Sequence, residues 1–299
     1  MWIIYTLVTF ACWGIADLFY KIGNKGENNY NHIKTGIYVG LVMGIHATIY
    51  LITNNLSIDI MEMIKYLPVS LLYILSMVIG YRGLKYLDLS ISSPIQNTSG
   101  VITALLLILF FKEKYDFPFY IALVLIFIGI ISLSINDIKT NKKEREQYKK
   151  NNTKTKILVF TIIFPLVYCI LDGAGTFIDG IYLDKENLIS EDGALLAYEY
   201  TFLVFALISW IYLKIKKEKL IPLDDKSKIA ASIFETGGQF FYVYAMSGNS
   251  TVAAPIVGSY CILSFILSHI FLHERLSKKD YIAIILVIIG IIILSIMDV

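Results

Sequence analysis

Charge is scarce in this chain. Only 17% of its 299 residues are Asp, Glu, Lys or Arg, against about 25% in an ordinary soluble domain. With 57% hydrophobic residues and a mean hydropathy of +0.66, much of the surface cannot be meant for water. Cysteine is scarce as well. Cys12, Cys169 and Cys261 each sit inside an apolar run with no metal-ligand spacing, which points to small buried hydrophobes and not to ligands. No basic segment precedes the first apolar run and no small-residue cleavage site follows it. That run is therefore read as a retained helix and not as a signal peptide. Enzymatic signatures are missing too: there is no phosphate-binding glycine loop, no HExxH, no GxSxG and no paired cysteine site. Neither a catalytic residue nor a metal or cofactor is assigned.

What the chain does have is long apolar runs. A spanning helix needs about 20 mainly apolar residues to cross a hydrocarbon core about 30 Å thick. Ten such runs are expected, at 2–22, 33–53, 65–86, 93–112, 117–136, 156–178, 193–213, 228–246, 253–272 and 281–298. The runs are continuous and do not alternate, which excludes a β-barrel. Pro94, Pro118 and Pro255 are expected in first helical turns, where a missing N–H costs little, with a cap from Ser92-Ser93 ahead of Pro94. Pro165 is expected to kink the sixth helix. Gly36, Gly40 and Gly44 form a GxxxGxxxG stripe on the second helix, the mark of close helix packing.

The most informative feature is a repeat. Residues 81–137 and 242–298 align without a gap at an offset of 161. Tyr81 falls on Tyr242, Pro94 on Pro255, Glu113 on Glu274, Gly129 on Gly290 and Asp137 on Asp298. Shared Leu and Ile mean little in apolar helices, but Pro, Glu, Gly and Asp in one register mean more. The expected organisation is residues 1–138 as one five-helix half, 139–155 as a basic linker and 156–299 as the second half. Five is odd, so the second half enters the membrane from the opposite side. The expected fold class is thus all-α integral membrane, ten transmembrane helices as two inverted five-helix repeats, a plan common among secondary transporters.

These residues resemble the drug/metabolite transporter superfamily, EamA-type. In each half a proline-bearing fourth helix ends at an acidic residue and a glycine-bearing fifth helix follows: Pro94 to Phe111-Lys112-Glu113-Lys114, and Pro255 to Leu272-His273-Glu274-Arg275. Cys12-Trp13-Gly14, followed by Lys21, resembles the family's first-helix Trp-Gly pattern. The resemblance covers nearly the whole chain and marks the fold far better than the substrate. It implies a transporter. With no nucleotide-binding domain in view, transport would be secondary, driven by an ion or solute gradient.

Of the 26 Lys and Arg, only Lys65, Lys112, Lys114 and Lys185 fall on one side of the expected topology. The positive-inside rule puts the other side in the cytoplasm, and with it the linker 139–155. Both termini are then outside, whereas the resemblance implies cytoplasmic termini; the charge count is preferred. A Lys/Asn/Ile bias suggests an AT-rich genome and a bacterial plasma membrane, multi-pass.

Ionisable groups inside spanning segments are costly and hence candidates for function. Asp17, Asp172, Glu199 and Glu235 qualify, with His46 the nearest basic group. Aligning the first helix with the sixth at an offset of 155 puts Trp13 on Tyr168 and Asp17 on Asp172. In each, aromatic and acid are spaced i, i+4 and share a helix face. Glu235, Gln239 and Tyr242 share a face of the eighth helix, and Tyr198 precedes Glu199 in the seventh, with Tyr38 its counterpart in the second. A carboxylate beside aromatic faces suits an organic cation, and the same group could carry a coupling proton. The substrate-cavity or proton-coupling candidates are Trp13, Asp17, Tyr168, Asp172, Tyr198, Glu199, Glu235, Gln239 and Tyr242. Gln96-Asn97-Thr98-Ser99 could line the cavity or bond between helices. Glu113 and Glu274 are read as structural.

The expected function is a secondary transporter moving a small polar metabolite, an amine or amino acid, by alternating access. The alternatives are a channel, or an intramembrane enzyme or accessory protein without transport. The partners in view are a small-molecule substrate, the lipid bilayer, a coupling proton or sodium ion, and a second copy as homodimer; nucleic acid is not among them.

Overall fold

The computed structural model describes residues 1–24, 28–83, 98–140, 164–272 and 276–297. They are helical apart from short connections: α1 (Trp2–Asn24), α2 (Asn31–Thr53), α3 (Ile60–Gly83), α4 (Ser99–Phe111), α5 (Phe117–Thr140), α6 (Phe164–Gly180), α7 (Glu191–Ile215), α8 (Lys226–Val257), α9 (Cys261–Leu272) and α10 (Lys278–Met297). Among the described residues there is no strand. Among the described residues, seven helical stretches are long and apolar enough to cross a membrane, and Ser99–Phe111 and Phe117–Leu133 are shorter apolar helices. Large side chains such as Ile4, Ile49, Leu109, Ile170 and Ile285 are more than half exposed, an apolar surface that suits lipid. This is a multi-pass membrane protein.

Polar backbone in such a chain must be satisfied within it, and the breaks show how. α6 continues as a π turn, Ile181–Lys185. α8 is interrupted at Asn249, whose backbone is extended (φ −164°, ψ 90°). The Asn249 side-chain oxygen accepts from Val252 N at 3.1 Å. The Asp184 carboxylate, from the π turn, accepts from Ser250 N at 2.9 Å and Ser250 Oγ at 2.6 Å. Two N–H groups freed by the break thus find acceptors, in the manner of an N-cap. Lys185 holds this corner, 2.8 Å from Asp184 and 2.6 Å from Glu113, and Thr251 donates to Glu113 at 2.8 Å.

The expected boundary between the eighth and ninth runs therefore moves. The helix restarts at Ser250, so Pro255 lies beyond the first turn, just before a 3-10 turn at Gly258–Tyr260. Ser259 Oγ donates to the Pro255 carbonyl at 2.6 Å. Pro118 does sit in the first turn of α5. Pro94, Gln96, Asn97, Glu274, Asp298 and residues 141–155 of the linker lie outside the described residues, as does the chain before Phe164 on which a kink at Pro165 would depend; the first two linker residues, Lys139 and Thr140, instead close α5.

The helices pack as α1 on α8, α3 on α6, α2 on α7, α5 on α10 and α4 on α8. The glycine stripe of α2 sits against α7. A Cβ on Gly40 would overlap the Phe202 carbonyl oxygen, one on Gly36 would lie 2.8 Å from the Phe205 ring, and one on Gly44 2.7 Å from Leu203. Gly129 of α5 and Gly290 of α10 behave alike. A Cβ on Gly129 would lie 2.8 Å from the Ala283 carbonyl oxygen, and one on Gly290 2.8 Å from that of Ala122. Without hydrocarbon–water contrast to drive helices together, such close approach is what holds them.

Candidate functional site

One cleft gathers much of the polarity that the lipid-facing surface lacks. Its cavity volume is about 90 Å³, several times the about 10–15 Å³ that a single water needs. α1 contributes Trp13, Asp17 and Tyr20; α3 contributes Tyr73 and Met77; α6 contributes Tyr168, Asp172 and Thr176; α7 contributes Tyr198; α8 contributes Glu235 and Tyr242. Ser99 and Gly100 open α4 at its edge, and Tyr260 enters from the 3-10 turn.

Helical phase explains the convergence. Trp13, Asp17 and Tyr20 are spaced i, i+4, i+7 along one face of α1, and Tyr168, Asp172 and Thr176 i, i+4, i+8 along α6. Trp13 is placed by α8. Its Nε1 donates to the Glu235 carbonyl oxygen at 3.3 Å, and a Cβ on Gly238 would overlap its ring. The Trp13 ring lies 5.0 Å from Tyr242 and 6.0 Å, edge-on, from Tyr260. Tyr20 Oη donates to Glu235 at 3.3 Å, and Ser99 Oγ to Asp172 at 2.6 Å. Asp17, Asp172 and Glu235 therefore share one aromatic-walled cleft, and no Lys, Arg or His lines it among the described residues.

The candidates divide accordingly. The cleft brings together Trp13, Asp17, Tyr168, Asp172, Tyr198, Glu235 and Tyr242. Glu199 and Gln239 are elsewhere. Glu199 is fully buried and its two carboxylate oxygens lie 2.9 and 2.8 Å from His46 Nδ1, tying α7 to α2. Consecutive helical residues point about 100° apart, so Tyr198 can face the cleft while Glu199 faces α2. Gln239 is buried at 1% exposure and its Nε2 has no hydrogen-bond partner among the described residues. Tyr38 serves a different end of the bundle, donating to Asp225 at 3.1 Å, which also accepts from Lys228 at 2.5 Å. Thr98 and Ser99 are the described members of the polar run; Thr98 lies 3.5 Å from Cys169 Sγ. Among the described residues no group of three or more His, Cys, Asp and Glu is placed to hold a metal ion.

Sequence reading missed Asp179. It is fully buried and does not line the cleft. Tyr66 Oη donates to one of its oxygens and Tyr73 Oη to the other at 3.0 Å. Tyr73 Oη also lies 3.0 Å from Thr176 Oγ1 and 2.8 Å from Tyr242 Oη. The expected end of the sixth helix at 178 set Asp179 outside the membrane. Yet it stands seven residues after Asp172, on the same face, and that spacing was the available signal. Tyr260 had none, because only the 3-10 turn aims it inward.

A carboxylate beside ring faces attracts a cation through both its charge and the ring quadrupole. An anion would meet three acids and no basic partner among the described lining residues.

Comparison with known proteins places the chain in a family. The EamA-like transporter family matches residues 1–135 and 187–296. An uncharacterized protein of Methanocaldococcus jannaschii is 32% identical over 136 residues, which make up 45% of this chain and 97% of that protein. A protein known from its crystal structure, 10% identical, superposes with a TM-score of 0.70 over 98% of this chain and 96% of its own. At that identity the likeness concerns the fold alone.

Proposed function

Because this chain belongs to the EamA-like transporter family, of the drug/metabolite type, we propose that it is a secondary carrier for a small organic cation, an amine above all, working by alternating access. The observation that carries this reading is the cleft itself. Asp17, Asp172 and Glu235 stand among Trp13, Tyr242 and Tyr260, with no basic residue in the described lining. An amine satisfies both the acids and the rings. An amino acid would add a carboxylate that only hydroxyls such as Ser99 and Tyr168 could receive.

The carrier is built as ten spanning helices in two inverted five-helix repeats. Support comes from the offset of 161 and from reciprocal packing: Gly129 against Ala283, and Gly290 against Ala122, are one contact written twice. The pairing of α1 with α8 mirrors that of α6 with α3. The lone long stretch Lys226–Leu272, broken at Asn249, counts as two crossings. α1 and α6 then meet at the cleft as equivalent helices, which is where inverted-repeat carriers bind cargo. The unequal distribution of Lys and Arg sets the linker 139–155 in the cytoplasm of a bacterial plasma membrane. One chain supplies the whole cleft, so a homodimer would not be needed to complete it.

Reconstituted protein tests the reading. Saturable counterflow of a labelled organic amine is expected, lost in Asp172→Asn and Glu235→Gln. Ohmic current in a planar bilayer would replace the carrier by a channel. Intact counterflow in both variants would remove the cleft from the transport path.

A further inference from the structure

Asp179 is a carboxyl group in the interior of a membrane protein, and all its hydrogen-bond partners are hydroxyls. Tyr66 and Tyr73 donate from α3, and Tyr242 of α8 lies 2.8 Å from Tyr73 Oη and also faces the carboxyl group. The other ionisable groups around this cluster are Asp172, two turns back on the same face of α6, and Tyr198 of α7, whose ring lies 5.7 Å from that of Tyr73. α4 brings only Leu107, against Gly180. Among the described residues no cation comes within ion-pair distance. A buried charge without a counter-ion is costly. A carboxyl group in that position becomes useful when it can gain and lose a proton.

Two further facts set Asp179 apart from the cargo acids. It does not line the cleft, whereas Tyr73, Thr176 and Tyr242, which surround it, do. The cleft is thus joined to Asp179 by hydroxyls in hydrogen-bond contact, a route for a proton and too tight for a solute. The pseudo-equivalent of Asp179 in α1, at the offset of 155 that pairs Asp17 with Asp172, is Asn24. Asn24 is equally buried, donates to the Tyr20 carbonyl oxygen and accepts from Thr35. The two ends of the bundle therefore carry an acid and an amide in matching places, so only one of them can exchange a proton.

We propose that Asp179 is the coupling-proton residue of this carrier, distinct from the cargo-binding acids Asp172 and Glu235. The inference rests on the carrier reading above. The carboxyl receives a proton by way of Tyr242 and Tyr73 and returns it by the same hydroxyls when the cleft changes occupant. No bond to the cargo is made or broken. A sodium ion is the poorer fit, because both carboxyl oxygens already accept from tyrosine hydroxyls and Asp179 is not in the cleft lining.

The test uses the full chain in proteoliposomes, with labelled benzyltrimethylammonium as the probe, a cation that cannot itself carry a proton. Wild type is expected to perform counterflow at equal pH and to accumulate the probe against a pH gradient. Asp179→Asn should bind the probe within about threefold of wild type and keep counterflow, which needs no net proton movement, yet lose accumulation. Calorimetry in buffers of different ionisation enthalpy should show about one proton fewer released per bound probe in this variant. Asp172→Asn should lose binding instead. Unchanged accumulation in Asp179→Asn overturns the proposal, as does loss of counterflow with folding intact, or accumulation driven by a sodium gradient at fixed pH. If Asp179→Asn fails to fold, Tyr66→Phe decides, since it keeps the carboxyl and removes one donor. The pH midpoint of accumulation should move, and an unmoved midpoint overturns the proposal. Absence of probe exchange in wild type sinks the cation-carrier reading on which the inference stands.

Discussion

At the scale of single residues, the cleft acids and Glu199 sit in two environments, and each predicts a different response. Asp172 and Glu235 face the cleft, so Asp172→Asn and Glu235→Gln should leave the fold intact and abolish stabilisation by amines in a thermal-shift assay. Ligand-induced stabilisation follows mass action, so a tenfold rise in Kd removes about 1.4 kcal/mol of it at saturating amine. Glu199 faces His46 instead. Removing Glu199 takes away the hydrogen-bond acceptor of a His46 that is 33% exposed, at a typical cost of about 1–3 kcal/mol. Glu199→Ala should therefore lower the melting temperature sharply, while Glu199→Gln, which still offers an acceptor, should cost much less and leave amine binding alone. A loss of amine binding in Glu199→Gln at unchanged stability would move Glu199 into the cargo site. Much of this was readable from depth and helical phase: Trp13, Asp17, Tyr168 and Asp172 are spaced so that they must share a face. The separation of Tyr198 from Glu199 was not, because either could face the cleft until α2 is placed.

At the scale of elements, glycines and breaks decide how close helices come. Gly40 meets a backbone oxygen, that of Phe202, which cannot swing aside. Gly40→Ala should destabilise the protein by about 1–3 kcal/mol, the usual cost of overpacking, read as a fall in melting temperature. Gly237, also helical, has only Cys12 Sγ near, 3.9 Å from a Cβ placed there. Gly237→Ala should be neutral or stabilising by about 0.5–1 kcal/mol through helix propensity. If the two substitutions cost the same, α2 and α7 do not approach as described. The break at Asn249 is a second element-scale device. Asn249→Ala removes the acceptor for Val252 N and should cost about 0.5–2 kcal/mol, whereas Asn249→Asp should be tolerated. Sequence reading saw two apolar runs here and placed a connection between 246 and 253, but it did not see the cap. The acceptor for Ser250 comes from Asp184, distant in sequence, and no local pattern announces it.

At the scale of the whole molecule, reciprocal contacts make a symmetry prediction. Gly129→Leu and Gly290→Leu should lower the melting temperature by similar amounts, since each drives a side chain into the same kind of wall on the opposite half. A large difference between them would count against two equivalent halves. The sequence alone determined that this chain lives in a membrane, because the apolar runs are too long and too continuous for a small-domain core. It also determined the family pattern, because Pro, Gly and Glu at fixed places in the apolar runs are legible without any knowledge of packing. Tertiary structure decided which polar groups share a space. The pairing of α1 with α8 brings Trp13 to Glu235, that of α2 with α7 takes Glu199 away to His46, and that of α3 with α6 encloses Asp179 in tyrosine hydroxyls. Helical periodicity fixes the direction of a side chain only relative to its own helix; what it meets depends on neighbours more than a hundred residues away, and those are set by close packing of the assembled bundle.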